Sequence, residues 1–190
     1  MPLISVIMSV YSEPLEWMRQ AIDSILNQTF TDFEFIIVND NPLRLENVTL
    51  LNSYASEDKR IRVVHNEKNL GLPSSLNRAL EIVKGKYVAR MDADDISLPD
   101  RFQYQYDFLE THLEYGICGT YARFIDEHSK VGLKVRLGHT NDELKKVIMN
   151  YYYKEQIEYV FYDTLKTDTA NIGNGEEIKR TATILSNLAQ

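Results

Sequence analysis

The chain has a single cysteine, Cys118, so an intramolecular disulfide bond is excluded. This composition fits a reducing compartment. The chain also has no apolar run long enough to span a bilayer, and its N-terminus lacks a basic region followed by a long apolar stretch. We therefore expect a cytoplasmic protein, either free in the cytoplasm or at the inner face of the membrane.

Positive charge is scarce as well. Lysine and arginine number 21 against 28 aspartate and glutamate residues, which gives a formal net charge of −7. Proteins that bind nucleic acid without sequence preference need a basic face, so we expect no nucleic-acid partner. An acidic protein that handles phosphate groups is expected to recruit a metal ion rather than to rely on lysines.

Two glycine-rich phosphate-binding patterns are missing. The chain contains no GxxxxGK[ST] sequence, and no GxGxxG sequence follows its first apolar run. The sequence therefore lacks the patterns that usually indicate a kinase, a GTPase or a classical dinucleotide-binding protein. The four histidines also lack the spacing of a zinc site; they are His65, His112, His128 and His139.

What the chain does contain is a regular alternation of short apolar runs and helical patterns. Alternation of this kind is typical of an α/β fold with a mostly parallel sheet and helices on both faces. Ligands on such sheets bind beyond the carboxyl ends of the strands. The predicted strands are 3–9, 33–38, 61–65 and 86–91, with a fifth at 116–121.

The pattern changes after about residue 126. Residues 141–161 are predicted to be helical and 178–188 to form a last short helix. We therefore expect two parts, 1–126 and 127–190, of which the second is a divergent, mainly helical segment. Its tyrosines can stack on sugars, meet a membrane interface or pack against a partner, so peripheral membrane association and a homo-oligomer both stay open.

The most informative stretch is 87–95, in which a predicted buried strand runs directly into the three carboxylates of Asp92, Asp94 and Asp95. Like charges so close together repel one another unless a positive group lies between them. A hard divalent cation prefers carboxylate oxygens and can also bind a phosphate. The sequence therefore predicts a metal–diphosphate site at the end of the fourth strand.

Three separated segments, in this order, resemble family 2 glycosyltransferases with the GT-A fold. The first is the opening strand, ISVIMSVYSE at 4–13. The second is 69–80, with NLGL at its start and LNRAL at its end, and the third is GKYVARMDADDISLPDRF at 85–102. The resemblance covers roughly the first two thirds of the chain. It implies a GT-A, Rossmann-like sheet that holds a nucleotide-diphosphosugar donor.

The resemblance also implies roles for individual residues. Val10 and Tyr11 would flank the nucleobase, and Asp40 would accept a hydrogen bond from its ring N–H. Asp92 would approach the ribose and the metal, and Asp94 would bind Mn²⁺ or Mg²⁺ directly. The full nucleotide-sugar-binding set that it implies is Val10, Tyr11, Glu13, Asp40, Asn69, Arg90, Asp92 and Ala93.

Several residues of these segments also have a purely structural interpretation. Asp40 stands beside Asn41 and Pro42, as a turn former would. Tyr11 would suit an aromatic wedge between the sheet and a helix. Asp95 or Ser97 would suit a cap for the following helix. If Asp95 instead has a functional role, it would be a further metal ligand. For Arg90 and Asn77, a structural role and a binding role are equally compatible with the sequence.

The catalytic base is not identified. Inverting enzymes of this family usually carry it downstream of the acidic motif, in a Glu-Asp pair followed by leucine and an aromatic residue, and the chain lacks this pattern. The QxxRW pattern of processive enzymes is absent too. Of the other carboxylates, the pair Glu57–Asp58 precedes the motif, and Asp163, Glu176 and Glu177 lack the expected neighbours. A divergent tail that supplies the base and a truncated chain both remain open.

We therefore expect a metal-dependent inverting glycosyltransferase that uses a nucleotide-diphosphosugar such as a UDP-sugar. By analogy with the family, the acceptor would be a glycan or lipid-linked glycan in surface polysaccharide synthesis. One alternative is a catalytically silent nucleotide-sugar-binding module that acts with a partner chain. Another is a nucleotidyltransferase, although 9–13 lacks the glycine- and arginine-rich loop that such an enzyme normally has after its first strand.

Overall fold

The computed structural model describes residues 1–113, 115–120, 122–126, 131–135 and 183–184. The chain divides into two compact units. One comprises Met1–Gly119 together with Ile178–Gln190, and the other comprises Thr120–Glu177. The boundary predicted between residues 126 and 127 falls inside the second unit.

The elements of the first unit alternate between strand and helix, as predicted. Its helices are α1 (Leu15–Leu26), α2 (Leu45–Glu57), α3 (Leu72–Leu80) and α4 (Arg101–Thr111). Its first four strands are β1 (Ile4–Val10), β2 (Phe33–Asn39), β3 (Ile61–His65) and β4 (Tyr87–Asp92). In the second unit, β5 (Ala122–Ile125) pairs antiparallel with β6 (Val131–Val135). A short last strand of the first unit, β7 (Thr183–Ile184), pairs parallel with β4.

The sheet of the first unit has the strand order β3-β2-β1-β4-β7, and every neighbouring pair is parallel. Successive side chains of β1 point to opposite faces, so Val6 and Met8 join the core beneath α1, α2 and α4, whereas Ile7 joins the core beneath α3. Because both faces are covered, the strands are apolar almost throughout. The predicted parallel sheet with helices on both faces is confirmed.

The position of α3 on the opposite face follows from the strand order. The chain moves from β1 to β2 to β3 in one direction, and α3 then returns it across the sheet so that β4 pairs with β1 on the other side. Right-handed crossovers that run in opposite directions put their helices on opposite faces. The direction of winding reverses between β1 and β4, and in α/β sheets a crevice opens at this point, beyond the carboxyl ends of the strands.

Several local predictions were wrong. The strand predicted at 116–121 is absent from its described residues apart from an isolated bridge at Gly119. The predicted last helix at 178–188 does not extend through Thr183–Ile184, which form β7. The helix predicted at 141–161 and the tyrosines of that segment lie outside the described residues.

Gly85 is packed against the first strand. A Cβ atom on Gly85 would lie 2.5 Å from the backbone nitrogen of Ser5 and 2.8 Å from the carbonyl carbon of Ile4. The Gly85 N–H also donates to Ser5 Oγ at 2.8 Å, and this hydroxyl donates to Glu34 Oε1 at 2.6 Å. The site has no room for a methyl group because its neighbours are backbone atoms of a buried strand.

We expect Gly85→Ala to lower the free energy of unfolding by about 2 kcal/mol, since overpacking against backbone forces β1 and β4 to shift. Urea unfolding followed by circular dichroism measures the loss. Gly116→Ala is the matched control, because nothing lies within 4 Å of a Cβ atom at Gly116. Equal stability of the two variants would contradict the close contact at Gly85.

Candidate active site at the carboxyl edge of the sheet

The ends of β2, β1 and β4 bring most of the predicted site residues to one edge of the sheet. Val10 is paired with Asn39 of β2, and Ser9 is paired with Asp92 of β4. The Asp40 N–H donates to Val10 O at 2.9 Å, which continues the ladder beyond the strand. Residues that are far apart in the sequence therefore lie side by side where the direction of winding reverses.

The turn after β1 is fixed by side chains from both of its flanks. The Tyr11 N–H donates to Glu13 Oε2 at 2.7 Å, and Asn47 Nδ2 donates to Tyr11 O at 2.9 Å. Arg44 Nη1 donates to Glu13 O at 2.7 Å. The Tyr11 side chain is 44% exposed, so Tyr11 is not a buried wedge and its ring is accessible to a ligand. The Glu13 carboxylate is part of the turn itself.

Asp40 is 2% exposed, and its carboxylate accepts hydrogen bonds from the segment that follows β3. Oδ1 accepts from Asn66 Nδ2 at 2.7 Å and from Leu70 N at 2.8 Å, and Oδ2 accepts from Gly71 N at 2.9 Å. Burial opposes ionisation, but hydrogen bonds from Leu70, Asn66, Ser75 and Gly71 lower the pKa of Asp40 below its ordinary value. Asp40 therefore fixes the loop that leads into α3. Its predicted contact with a nucleobase stays a prediction.

The start of α3 depends on this arrangement. Gly71 precedes the helix with φ at 81°, a conformation that favours glycine. Its N–H is shared between Asp40 Oδ2 and Asn69 Oδ1, both at 2.9 Å. Asn69 is exposed at this turn, and Asn77 is exposed further along α3.

Three buried asparagines outside the predicted set of site residues connect these strand ends; they are Asn39, Asn47 and Asn66. Asn39 Oδ1 accepts from the Asn41 N–H at 3.1 Å and from Asn47 Nδ2 at 3.3 Å. Asn66 Nδ2 donates to Ser75 Oγ at 2.9 Å as well as to Asp40, and Asn66 Oδ1 accepts from Arg78 Nη1 at 2.6 Å. The only sequence signal for them was their position after or near an apolar run.

The acidic segment, residues 92–95, begins at the last residue of β4 and has two half-buried carboxylates, Asp92 and Asp95, and one exposed carboxylate, Asp94. Arg90 Nη2 donates to Asp92 Oδ1 at 2.7 Å, and the predicted binding role of Arg90 stays a prediction. Burial is the main cause that raises the pKa of Asp92 above its ordinary value, while the Arg90 guanidinium opposes the rise. Asp94 is exposed at the edge of the sheet, and the Ala93 side chain is buried in the core.

The far end of the acidic segment is attached to α1. The Ser97 N–H donates to Ser24 Oγ at 3.0 Å, and Gln28 Nε2 donates to Leu98 O at 2.8 Å. Gln28 Oε1 accepts from the Phe102 N–H at 3.1 Å, so it satisfies a donor in the first turn of α4. The cap predicted at Asp95 or Ser97 is therefore supplied by Gln28, in the segment that follows α1.

The donor set of the acidic segment fits a cation that also binds a ligand. Among the described residues, no group of three or more His, Cys, Asp or Glu side chains is arranged to hold a metal ion. Mg²⁺ is usually bound by one or two carboxylates together with substrate phosphates, rather than by an all-protein cage. Two carboxylates at the crevice, Asp92 and the exposed Asp94, match that requirement.

Of the other carboxylates considered from the sequence, the structure describes only the pair Glu57–Asp58. Asp58 Oδ2, at the end of α2, accepts from Arg60 Nη2 at 2.7 Å. Asp163, Glu176 and Glu177 lie outside the described residues.

Within the part of the chain that the structure describes, no helix is long and apolar enough to cross a membrane.

Comparison with known proteins identifies the family. The model of the family described as "Glycosyl transferase family 2" matches residues 5–169. The chain belongs to glycosyl transferase family 2. An uncharacterized glycosyltransferase of Methanocaldococcus jannaschii is 39% identical over 157 residues, which cover 82% of this chain and 53% of that protein.

Two other relatives have names that refer to amylovoran and O-antigen biosynthesis. The amylovoran biosynthesis glycosyltransferase AmsE of Erwinia amylovora is 36% identical over 143 residues, covering 75% of this chain and 53% of AmsE. The O-antigen biosynthesis glycosyltransferase WbnJ of Escherichia coli is 39% identical over 129 residues, covering 67% of this chain and 49% of WbnJ. This family 2 chain thus spans about half the length of the curated relatives it matches.

Solved structures support the fold of this family 2 chain. The crystal structure of S. aureus TarS 1–349 in complex with UDP-GlcNAc superposes with a TM-score of 0.54 at 24% identity. The superposition covers 67% of this chain and 37% of the TarS chain. The predicted GT-A fold is therefore confirmed for the first unit.

Proposed function

We propose that this chain is the donor-binding part of a metal-dependent, inverting glycosyltransferase that uses a UDP-sugar. One observation carries the proposal: in a family 2 chain, β1 and β4 are paired where the winding reverses, so the turn with the exposed Tyr11 and the segment with Asp92 and Asp94 follow neighbouring strands at one edge of the sheet. In this proposal the nucleobase lies near Tyr11, with Asp40 as its hydrogen-bond acceptor. The diphosphate lies near Asp92 and Asp94.

The chemistry of the site follows from its charges. Asp92 and Asp94 would hold Mn²⁺ or Mg²⁺, which neutralises the charge on the diphosphate leaving group when bound. In an inverting transfer, an acceptor hydroxyl oxygen bonds to the anomeric carbon from the face opposite the diphosphate, and the bond from that carbon to the diphosphate oxygen breaks. The hydroxyl proton passes to a base that is not assigned. The turn Tyr11–Glu13 and the loop fixed by Asp40 orient the donor.

The acceptor class is proposed from the relatives. The names of AmsE and WbnJ refer to amylovoran and O-antigen biosynthesis, and both are polysaccharides. We therefore propose a glycan or lipid-linked glycan as the acceptor, in surface polysaccharide synthesis at the cytoplasmic side of the membrane.

Calorimetric titration with UDP tests the donor site. We expect UDP to bind with a stoichiometry of about one in the presence of Mn²⁺, and at least about tenfold more weakly when a chelator removes the cation, because the diphosphate then loses its counter-charge. ADP is the control for base selectivity. Absence of UDP binding in Mn²⁺ would contradict the proposed function. If UDP binds but a UDP-sugar is neither hydrolysed nor transferred, the result would instead support a silent binding module.

A further inference from the structure

Asn47 is a fully buried polar residue near the start of α2. The other buried side chains of this helix are those of Leu50 and Leu51, so Asn47 belongs to an otherwise apolar face. Asparagine is a weak helix former, and a buried amide costs free energy unless its polar atoms are paired. An apolar residue would avoid that cost, so the reason for an amide at this position lies in its contacts.

The amide nitrogen of Asn47 joins two segments of the carboxyl edge. Nδ2 donates to Tyr11 O at 2.9 Å, in the turn after β1, and to Asn39 Oδ1 at 3.3 Å, at the end of β2. Both partners are acceptors, since Asn39 Oδ1 also accepts from the Asn41 N–H, and this fixes the orientation of the Asn47 amide. Asn47 Oδ1 is buried and has no hydrogen-bond partner among the described residues.

A second side chain from the start of α2 acts on the same turn. Arg44, the residue before the helix, donates from Nη1 to Glu13 O at 2.7 Å. Within the turn, the Glu13 carboxylate accepts from the Tyr11 N–H at 2.7 Å. Asn47 and Arg44 thus hold the backbone carbonyls of Tyr11 and Glu13, so the start of α2 fixes the peptide groups from which the exposed Tyr11 ring projects.

Loss of the bond between Asn47 and Tyr11 should cost the fold little. The turn is exposed at Tyr11 and Ser12, so water can hydrate it, and Asn39 Oδ1 would keep its bond with the Asn41 N–H. An apolar side chain at position 47 would also remove the unpaired acceptor, which is itself unfavourable in a buried site. A residue that breaks a rule of stability in this way is typical of a functional site.

We propose that Asn47 is a positioning residue for the nucleoside end of the donor, which acts by fixing the turn Tyr11–Glu13 in the conformation that receives the nucleobase. This inference rests on the proposed function of the crevice. Asn47 is buried, so it acts on the donor through Tyr11 O rather than by touching it. Because the cation is proposed to lie at Asp92 and Asp94, the effect of Asn47 on donor binding should not depend on the metal.

The test is a calorimetric titration with UDP, once in Mn²⁺ and once with a chelator. In Asn47→Leu, we expect UDP to bind about tenfold more weakly than in the wild type under both conditions, because the ligand must then order the turn. The factor by which Mn²⁺ strengthens UDP binding should stay at its wild-type value. Asn52→Leu is the matched control, because Asn52 is exposed on the same helix, and it should bind UDP as the wild type does.

Two results would overturn the inference. Circular dichroism first confirms that each variant is folded, so that unfolded protein cannot account for a loss of affinity. If Asn47 serves packing alone, folded Asn47→Leu keeps the wild-type affinity for UDP. If the affinity falls only in Mn²⁺, Asn47 acts through the acidic segment and not through the turn.

Should Asn47→Leu fail to fold, Arg44→Met is the second variant. It removes the other α2 donor to the turn from a half-buried position and must also weaken UDP binding both with and without Mn²⁺. If UDP does not bind the wild type in Mn²⁺, the proposed function itself fails. If UDP binds the wild type and the folded variants equally well, only this inference fails.

Discussion

Replacing Asp94 by alanine should lower the rate of donor turnover by about a thousandfold, which corresponds to about 4 kcal/mol of transition-state stabilisation. Asp94 is exposed at the edge of the sheet, so its removal should leave the stability of the fold unchanged within about 0.5 kcal/mol. The loss should therefore come from the cation that Asp94 is proposed to bind. Release of UDP from a UDP-sugar measures the rate, and the unfolding midpoint in urea measures the stability.

Asp32→Ala is the matched control for this experiment. Asp32 is an exposed carboxylate just before β2, at the amino edge of the sheet, so its removal makes the same change in net charge away from the crevice. Asp32→Ala should keep the wild-type rate and the wild-type dependence on Mn²⁺. If Asp94→Ala and Asp32→Ala turn over the donor equally well, Asp94 is not a ligand of the catalytic cation.

Replacing Asn66 by aspartate should cost about 3 kcal/mol of folding stability at pH 8. Asn66 is 1% exposed, and its Nδ2 donates to Asp40 Oδ1 at 2.7 Å. The variant replaces this donor by a carboxylate oxygen, so two negative charges face each other in a buried site. The contact with Arg78 is kept, because Asn66 Oδ1 already accepts from that guanidinium.

The penalty in Asn66→Asp should depend on pH in a defined direction. When two carboxylates are this close, the pKa of one of them rises, and a proton shared between them restores the hydrogen bond. A group whose pKa is higher in the folded state costs stability progressively as the pH rises from its unfolded-state pKa to the raised value, so the deficit relative to the wild type should shrink as the pH falls. Urea unfolding at pH 8 and at pH 5 measures the difference.

Asn52→Asp is the control, because Asn52 is exposed on α2 and the substitution makes the same chemical change at a solvated position. It should alter stability by less than about 0.5 kcal/mol at either pH. An Asn66→Asp variant as stable at pH 8 as Asn52→Asp would show that the bond between Asn66 and Asp40 does not contribute to folding.

The fold of the first unit was predictable from the sequence because its signals are local. Strand β3 was predicted with its observed bounds, and β1, β2 and β4 with small shifts at their ends. Each is an apolar run flanked by polar turn residues, and a strand covered on both faces requires such a run. The strand predicted at 116–121 is reduced to a bridge at Gly119 among its described residues. Thr183–Ile184, within the helix predicted at 178–188, form a strand, since a short apolar run does not by itself distinguish the two types of element.

The acidic segment was predictable for the same reason, because its three carboxylates are adjacent in the sequence. The partners that hold the site in place were not. Asp40 is hydrogen-bonded to residues of the segment after β3, and Gln28, which follows α1, accepts a hydrogen bond from the first turn of α4. A pattern search finds buried apolar faces, whereas Asn47 and Asn66 are polar residues whose burial depends on partners from distant segments.

The central place of β1 in the sheet has a consequence for how the chain can fold. One neighbour, β2, is supplied by the next crossover, but the other, β4, arrives only after two further helices have been made. Until then, one edge of β1 in a nascent chain has unpaired backbone N–H and C=O groups, which can pair with a strand of another molecule. Sequence-distant pairing of this kind is slow. A fragment that ends before β4 should therefore aggregate rather than fold into a partial sheet.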